Sequence, residues 1–439
     1  MSDDEHRDSG GASPDASTGL RDSEREIHGK IGHDDSYAAW RFTGFRRLVV
    51  SGFAESIGSR MVDVAVGWEL YARTHSAVAL GLVGLVQIVP AVLLALPAGH
   101  VADRFDRRRI AVATTLLLAG CSAGLTLLSW TDGPLPLVYL CLALMGAASS
   151  VQAPATASML AQVVPGEWFG NAATWQSGVG QTASIGGPAL GGLMIAATGG
   201  ATAVYAINAA TLLAVAPLIG SLRLRPFTRS AEKVTVDSLL AGLHFVRATK
   251  EILAASTLDL FAVLLGGTTA LLPIFAEDVL HVGPTGLGLM RAAPAAGAVL
   301  TALVMAHRPP FRHAGWTLLS AVAGFGLATI GFGLSRSLPL SLLFLAALGG
   351  LDAISMVIRD TLLLTRTPDE LRGRVTAVEF VFVGLSNQLG EFESGMLAAL
   401  IGAVGAVIAG GIGTLLVVPV VALAWPELRR LGRMVSDEG

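Results

Sequence analysis

Lysine is nearly missing from this 439-residue sequence, with Lys30, Lys233 and Lys250 the only three. A GxxxxGK[ST] nucleotide loop needs a lysine after its last glycine, and none of the three stands in such a loop, so direct ATP use is excluded. Cysteine is as scarce: Cys121 and Cys141 both fall in apolar runs, where they read as packing residues and not as a disulfide or metal pair. Charge is sparse too. Only 14% of residues are Asp, Glu, Lys or Arg, while 52% are apolar and the mean hydropathy is +0.62, which excludes an ordinary soluble protein. No HExxH pattern is present, and no basic segment leads into a short apolar core before Leu48, so neither a metalloprotease helix nor a secretory signal is expected. No enzyme activity, cofactor or metal is expected.

What the sequence has instead is long apolar runs. About 20 mainly apolar residues are needed to cross about 30 Å of hydrocarbon as a helix. That ruler places twelve spans at 48–71, 78–102, 110–130, 136–159, 171–196, 203–220, 252–276, 286–306, 315–334, 339–361, 376–400 and 404–424. Turns such as TDGPLP (131–136) and ATGGAT (197–202) separate them. The expected fold is an all-α membrane protein of twelve transmembrane helices in two pseudo-symmetric six-helix bundles. Its parts are a disordered polar tail at 1–36, a bundle at 37–222, a linker with an amphipathic helix at 223–250, a second bundle at 251–426, and a tail at 427–439.

Arginines fix the expected orientation. Arg41, Arg46 and Arg47 precede span one, Arg104 and Arg107 to Arg109 follow span two, and Arg223, Arg225 and Arg229 follow span six. Arg308, Arg312, Arg366, Arg372, Arg374, Arg429, Arg430 and Arg433 continue on the same side, against only Arg73 and Arg336 opposite. The positive-inside rule then puts both termini in the cytoplasm. The halves also repeat. An offset of 204 lays Gly84, Gln87, Pro90, Asp103 and Arg104 on Gly288, Arg291, Pro294, His307 and Arg308. An offset of 203 lays PGEWFGNA (165–172) on PDELRGRV (368–375). Such a duplication is the organisation of a transporter whose halves rock about a midplane site.

The stretch GHVADRFDRRRI (99–110) resembles the signature between spans two and three of the major facilitator superfamily, commonly G-x-L-A-D-R-x-G-R-R, with Asp106 in place of the usual second glycine. GGPALGG (186–192) resembles the span-five motif of drug/proton antiporters, through Gly187, Pro188, Gly191 and Gly192. SLLAGLHFVR (238–247) looks like the bacterial drug and siderophore efflux branch that contains the enterobactin exporter. The resemblance implies that Gly99, Asp103, Arg104, Arg107 and Arg108 form a gate closing the cytoplasmic side. It also implies that spans one, four, seven and ten line a cavity, that two, five, eight and eleven flank it, and that three, six, nine and twelve face lipid.

Charge within the spans follows that division, since spans three, six, nine and twelve carry none. A charge at the bilayer centre costs about 2.5–3.5 kcal/mol on insertion scales, so the others point to function. Arg60 and Asp63, three apart, share one face of span one and read either as a structural pair or as a proton-coupling acid with its tuning cation. Asp352, with no cation within a helical turn, is the second proton-coupling candidate. Asp259, Arg291, Glu391 and Glu393 are candidate cavity charges, with Glu391 and Glu393 on different helix faces. Glu69, Arg359, Asp360 and Glu379 lie near span ends, where snorkelling to water accounts for them. Trp68, Tyr71, Trp130, Tyr139, Trp175, Trp316 and Trp425 read as interfacial belt residues. Glycines at 52, 58, 178, 180, 186, 187, 191 and 192 are expected to let helices approach closely.

The function these features imply is a secondary active transporter in a bacterial inner membrane, a proton-coupled exporter of amphipathic drugs or siderophore-like compounds. It is expected to act as a monomer, with protons, a small-molecule substrate and the bilayer as partners and no nucleic acid. An importer or facilitator on the same fold, or a non-transporting sensor or scaffold, remains open at this stage.

Overall fold

The computed structural model describes residues 36–222, 224, 236–308 and 311–432, and the disordered tail expected at 1–36 lies outside them but for Ser36. Side chains at 95–104, 236–240, 369, 370, 377 and 380 also fall outside that description. The first half is built of α1 (Thr43–Thr74), α2 (Ala77–Arg104), α3 (Arg107–Trp130), α4 (Leu135–Val163), α5 (Phe169–Thr198) and α6 (Thr202–Gly220). Then come the linker helix α7 (Val236–Ala248), α8 (Lys250–Leu265), α9 (Gly283–Ala306), α10 (Ala314–Leu334), α11 (Leu338–Arg366), α12 (Asp369–Ala424) and the short α13 (Pro426–Arg429).

Among the described residues, nine helical segments are long and apolar enough to span a membrane. Two more, α1 and α5, have the length but carry charged and polar side chains that lower their hydropathy. The twelfth comes from α12, which holds two helices joined at Gly402, where φ is +80° and ψ 158°. Only glycine adopts that backbone without strain, so the turn expected between 400 and 404 is this one residue. Gly199 also has a positive φ and ends α5 in the left-handed helical region, at φ +77° and ψ 6°.

Span seven is the exception to the expected continuity. Its α-helix stops at Leu265, and Thr268–Leu271 forms a 3-10 turn before Leu272–Ile274 and a π turn at Phe275–Val279. Gly266 and Gly267 weaken the helix there, and Pro273 cannot donate the next backbone bond. A Cβ on Gly267 would stand 2.5 Å from the Gly390 carbonyl oxygen, so the break is also where two backbones meet.

The sequence repeat is visible as repeated packing. Gly187 of α5 lies against Arg60 of α1, and Gly390 of α12 lies against Leu264 of α8. The same offsets relate two contacts between the halves. Gly288 of α9 crosses α5 so closely that a Cβ would meet the Pro188 carbonyl oxygen at 2.5 Å and the Gly192 Cα at 3.1 Å. Gly395 of α12 crosses α2 with 2.6 Å to the Gly81 Cα, and Gly84 with 2.6 Å to the Gln388 carbonyl oxygen. By contrast Gly52, Gly178, Gly180 and Gly186 have nothing within 4 Å of a Cβ position, which corrects the expectation that they too bring helices together.

Both crossings lie at the end of the bundle opposite the arginines, and the core divides accordingly. At that far end one apolar core runs through both halves, with Leu70, Tyr71 and Tyr205 continuous with Phe275 and Phe332, whose rings stack 4.6 Å apart. At the basic end each half has its own core: Phe45, Met159, Trp168 and Leu222 in the first, Leu258, Leu318, Leu362 and Leu428 in the second. Among the described residues, the halves thus share one core at the far end and keep separate cores at the basic end. Leu116, Leu127, Leu213, Leu327, Leu416 and Leu423 are exposed on α3, α6, α10 and the second helix of α12, the uncharged spans that were expected to face lipid.

Candidate functional site

Between the halves lies a cavity of about 340 Å³. α1 contributes Arg60 and Asp63, α9 Arg291, α11 Asp352 and α12 Glu391, so five charged residues widely separated in the chain meet around one space. The break in span seven adds Thr268 and Thr269, and non-helical backbone at membrane depth belongs where it borders such a cavity. Pro188 of the antiporter-like motif also lines it. Gly187 and Gly191 of that motif seat α5 on α1 at Arg60 and Met61, while Gly192 turns to Pro284 and Gly288 of the other half.

Arg60 and Asp63 are 3.7 Å apart, but their side chains are 54% and 39% exposed, which is the geometry of a hydrated pair facing the cavity. Arg291 packs against Gly67, as Pro273 does, and its Nε is buried without a hydrogen-bond partner. Its charge acts on Glu391, as does that of Asp63, so Glu391 sits with Arg291 at the cavity and not at an outer mouth. Glu393, on another face, accepts from the Ser394 hydroxyl at 3.4 Å and lies outside the lining.

Two expectations are corrected beneath the cavity. Asp259 is not a cavity charge, and Arg359 and Glu379 do not snorkel to water. The Arg359 guanidinium donates to Asp259 at 2.7 Å and lies 3.6 Å from Glu379, and the Arg359 and Asp259 side chains are only 9% and 6% exposed. Ser256 donates to both Glu379 oxygens, at 3.1 and 3.0 Å. Position along a single helix suggested span ends, but the three helices converge and cover these groups. A signal existed: Arg359 follows Asp352 by seven residues, two turns along one face.

Of the gate motif, the side chains of Gly99, Asp103 and Arg104 lie outside the described residues. Asp106 caps α3, its carboxylate accepting from the Arg108 amide at 2.9 Å, which explains an acid in the usual glycine position. Arg107 opens α3, and Arg108 donates to the Leu222 carbonyl at 3.3 Å. At the far end the Tyr71 hydroxyl donates to Asp278 across the two halves, so this buried tyrosine is a contact between halves and not a belt residue. Tyr139 likewise points inward, donating to the Ala79 carbonyl at 2.8 Å. Gly120 to Gly124 fit a GxSxG pattern, but Ser122 is buried mid-helix and accepts from Asn208 at 2.8 Å, with none of the sharp turn a nucleophile requires.

Residues 34–434 match the family model described as transmembrane secretion effector. The multidrug efflux pump Tap of Mycobacterium tuberculosis is 29% identical over 356 residues, 77% of this chain and 83% of that protein. The enterobactin exporter EntS of Escherichia coli is 27% identical over 389 residues, 88% and 92% of the two chains. Among solved structures, a peptide transporter of the POT family superposes with a TM-score of 0.71 at 12% identity, over 93% of this chain and 99% of that one. An inward-facing, occupied bacterial homologue of the lysosomal transporter Spinster gives 0.67 at 14% identity, over 90% and 98%.

Proposed function

The chain belongs to the transmembrane secretion effector family of the major facilitator superfamily, a family of membrane transporters, and on that premise we propose that it is a proton-coupled exporter of amphipathic small molecules. It works as a monomer by alternating access in a bacterial inner membrane, with both termini cytoplasmic. Its substrates are drugs or siderophore-like compounds, the classes named for the relatives Tap and EntS.

The observation that carries the reading is the cavity. It holds charges of both signs between two halves that, among the described residues, share one core at the far end and keep separate cores at the basic end. With the basic end taken as cytoplasmic, this arrangement supports a reading as the inward-open state of the cycle, which loads from the cell interior. Arg60 and Arg291 offer an amphiphile anion contacts, and Asp63, Asp352 and Glu391 offer it cation contacts. Asp63 and Asp352 are the cavity carboxylates assigned to coupling. A proton gradient supplies the energy because exchange of substrate for protons links the two fluxes. Glu393 lies off the substrate path, and the motif from Gly99 to Arg108 closes the cytoplasmic side in the opposite state.

The test uses inside-out proteoliposomes acidified within, and ethidium and enterobactin as probes. Uphill accumulation of either probe, lost on collapsing the pH gradient, is the expected result. Equilibration without accumulation overturns coupling, and no movement of any probe in a wider drug panel overturns transport of this class.

A further inference from the structure

Beneath the cavity lies a group of side chains that substrate contact does not use. Asp259 of α8, Arg359 of α11 and Glu379 of α12 form a buried cluster with one cation and two carboxylates, and Asp352 adds a third carboxylate whose charge acts on the same arginine. The charged groups acting on Asp259 are Arg359, Asp352 and Glu379, and α10, which also packs on α8, carries none. One guanidinium cannot neutralise three carboxylates. A proton bound in the cluster would offset that excess of negative charge.

A second observation points the same way. Ser355 stands three residues after Asp352 and four before Arg359, on the face of α11 that carries both. Its hydroxyl is buried and has no hydrogen-bond partner, although buried hydroxyls are ordinarily satisfied. It lies on the line from the cavity to the cluster, about 10 Å long at 1.5 Å per residue. The cluster sits at one depth: Asp259 is about 14 Å from the start of α8, Glu379 about 15 Å from the start of α12 and Arg359 about 10 Å from the end of α11, all helix ends of the basic side.

We propose that the Asp259–Arg359–Glu379 cluster is the proton-binding site that couples the cycle, reached from the cavity through Asp352 and the Ser355 hydroxyl. The proposal rests on the proton-coupled reading above and, of its two cavity carboxylates, keeps Asp352 as the entrance and leaves Asp63 to substrate contact. When the cavity faces outward, hydronium in the cavity gives its proton to Asp352, leaving water. The proton passes by way of Ser355 to a carboxylate oxygen of Asp259, forming one O–H bond for each bond broken. When the cavity opens to the basic end, that O–H breaks, the proton leaves to cytoplasmic water, and Arg359 holds the regenerated carboxylate.

The experiment is infrared titration of the purified full chain in lipid nanodiscs, following the deuterium-sensitive carbonyl stretch of protonated carboxylic acid. Spin labels on the basic ends of α5 and α9 report conformation in the same samples. The wild type is expected to lose the band as pH rises, together with a shift in the spin-label distances. Asp259→Asn should remove at least half of the band and flatten the shift, and Ser355→Ala should keep the band but slow its deuterium exchange severalfold. A band unchanged in Asp259→Asn, or a titration moved by Asp63→Asn alone, overturns the proposal.

If the single variants misfold, Asp259→Asn/Glu379→Gln/Arg359→Gln strands no charge and gives the same readout. The titration needs no substrate, so a chain that titrates in this way yet accumulates no probe keeps the proton site and loses the export reading. Gradient-driven ethidium accumulation that persists within twofold in the triple variant does the reverse.

Discussion

Glu55 in the first half and Asp259 in the second are related by the 204-residue offset of the repeat, and each is a carboxylate on the first helix of its bundle. Their surroundings differ. Glu55 is hydrogen-bonded by the Gln152 amide, and Gln152 also donates to Thr115 at 3.1 Å, so its partners are neutral. Asp259 meets Arg359, which also draws in Glu379. One ancestral plan has become a neutral hydrogen-bond network in one half and an ionic one in the other. Packing has diverged less: Gly192 and Gly288, which cross each other, correspond by the same offsets to Gly395 and Gly84, both at the crossing of α2 and α12. In the proposed cycle, symmetric packing would let the halves rock as equals, and asymmetric charge would give one half the place to hold protons.

The largest expected effect breaks the ionic half. Arg359→Gln leaves Asp259 and Glu379 buried without their cation and should cost about 3–5 kcal/mol in denaturant unfolding. Gln152→Ala, its counterpart in the neutral half, should cost about 1 kcal/mol. Equal losses would erase the distinction between the halves.

Next comes the packing that has stayed symmetric. Gly192→Leu and Gly395→Leu each place a side chain where backbones touch, and each should move the equilibrium toward far-end opening by at least tenfold, about 1.4 kcal/mol, by spin-label distances. Gly178→Ala, in open space, should leave the distances unchanged. A large response from one crossing alone would mean that the halves do not share the hinge.

Smaller still is the cavity pair. Because Arg60 and Asp63 are substantially exposed, Asp63→Asn should change stability by less than about 1 kcal/mol. A collapse in stability would make the pair structural.

The smallest effect concerns Lys250 and Glu427, 3.0 Å apart at the basic end. A backbone amide at Glu427 and then Lys250 hold its carboxyl below the usual range. A lowered folded value gives a contribution present above the ordinary carboxylate range and lost as pH falls through it, so Lys250→Ala should flatten the acid limb of the stability profile slightly. An unchanged acid limb would assign no role to the pair.

Much of this fold is legible in the sequence, because hydrophobic length and glycine turns are local signals. The break at Gly402, the end of α5 at Gly199 and the uncharged lipid-facing spans can all be read from single segments. The gathering of Arg60, Asp63, Arg291, Asp352 and Glu391 is partly legible, since buried charge is rare enough to mark its helices. What escapes is anything set by three helices at once. Arg359 and Glu379 look like residues near water until α8, α11 and α12 are brought together, and Tyr71 looks interfacial until Asp278 arrives from the other half. The interruption of span seven had a local signal in Gly266, Gly267 and Pro273, but apolar length outweighed it.

Coupling is tested most directly by recording ethidium and proton fluxes together in one population of proteoliposomes, with and without an imposed pH gradient. The account predicts that protons move opposite to ethidium in fixed proportion, and that both fluxes fall at least tenfold in Asp259→Asn/Glu379→Gln/Arg359→Gln while ethidium still binds. Ethidium movement with no proton counterflow, or with protons moving in the same direction, would contradict it.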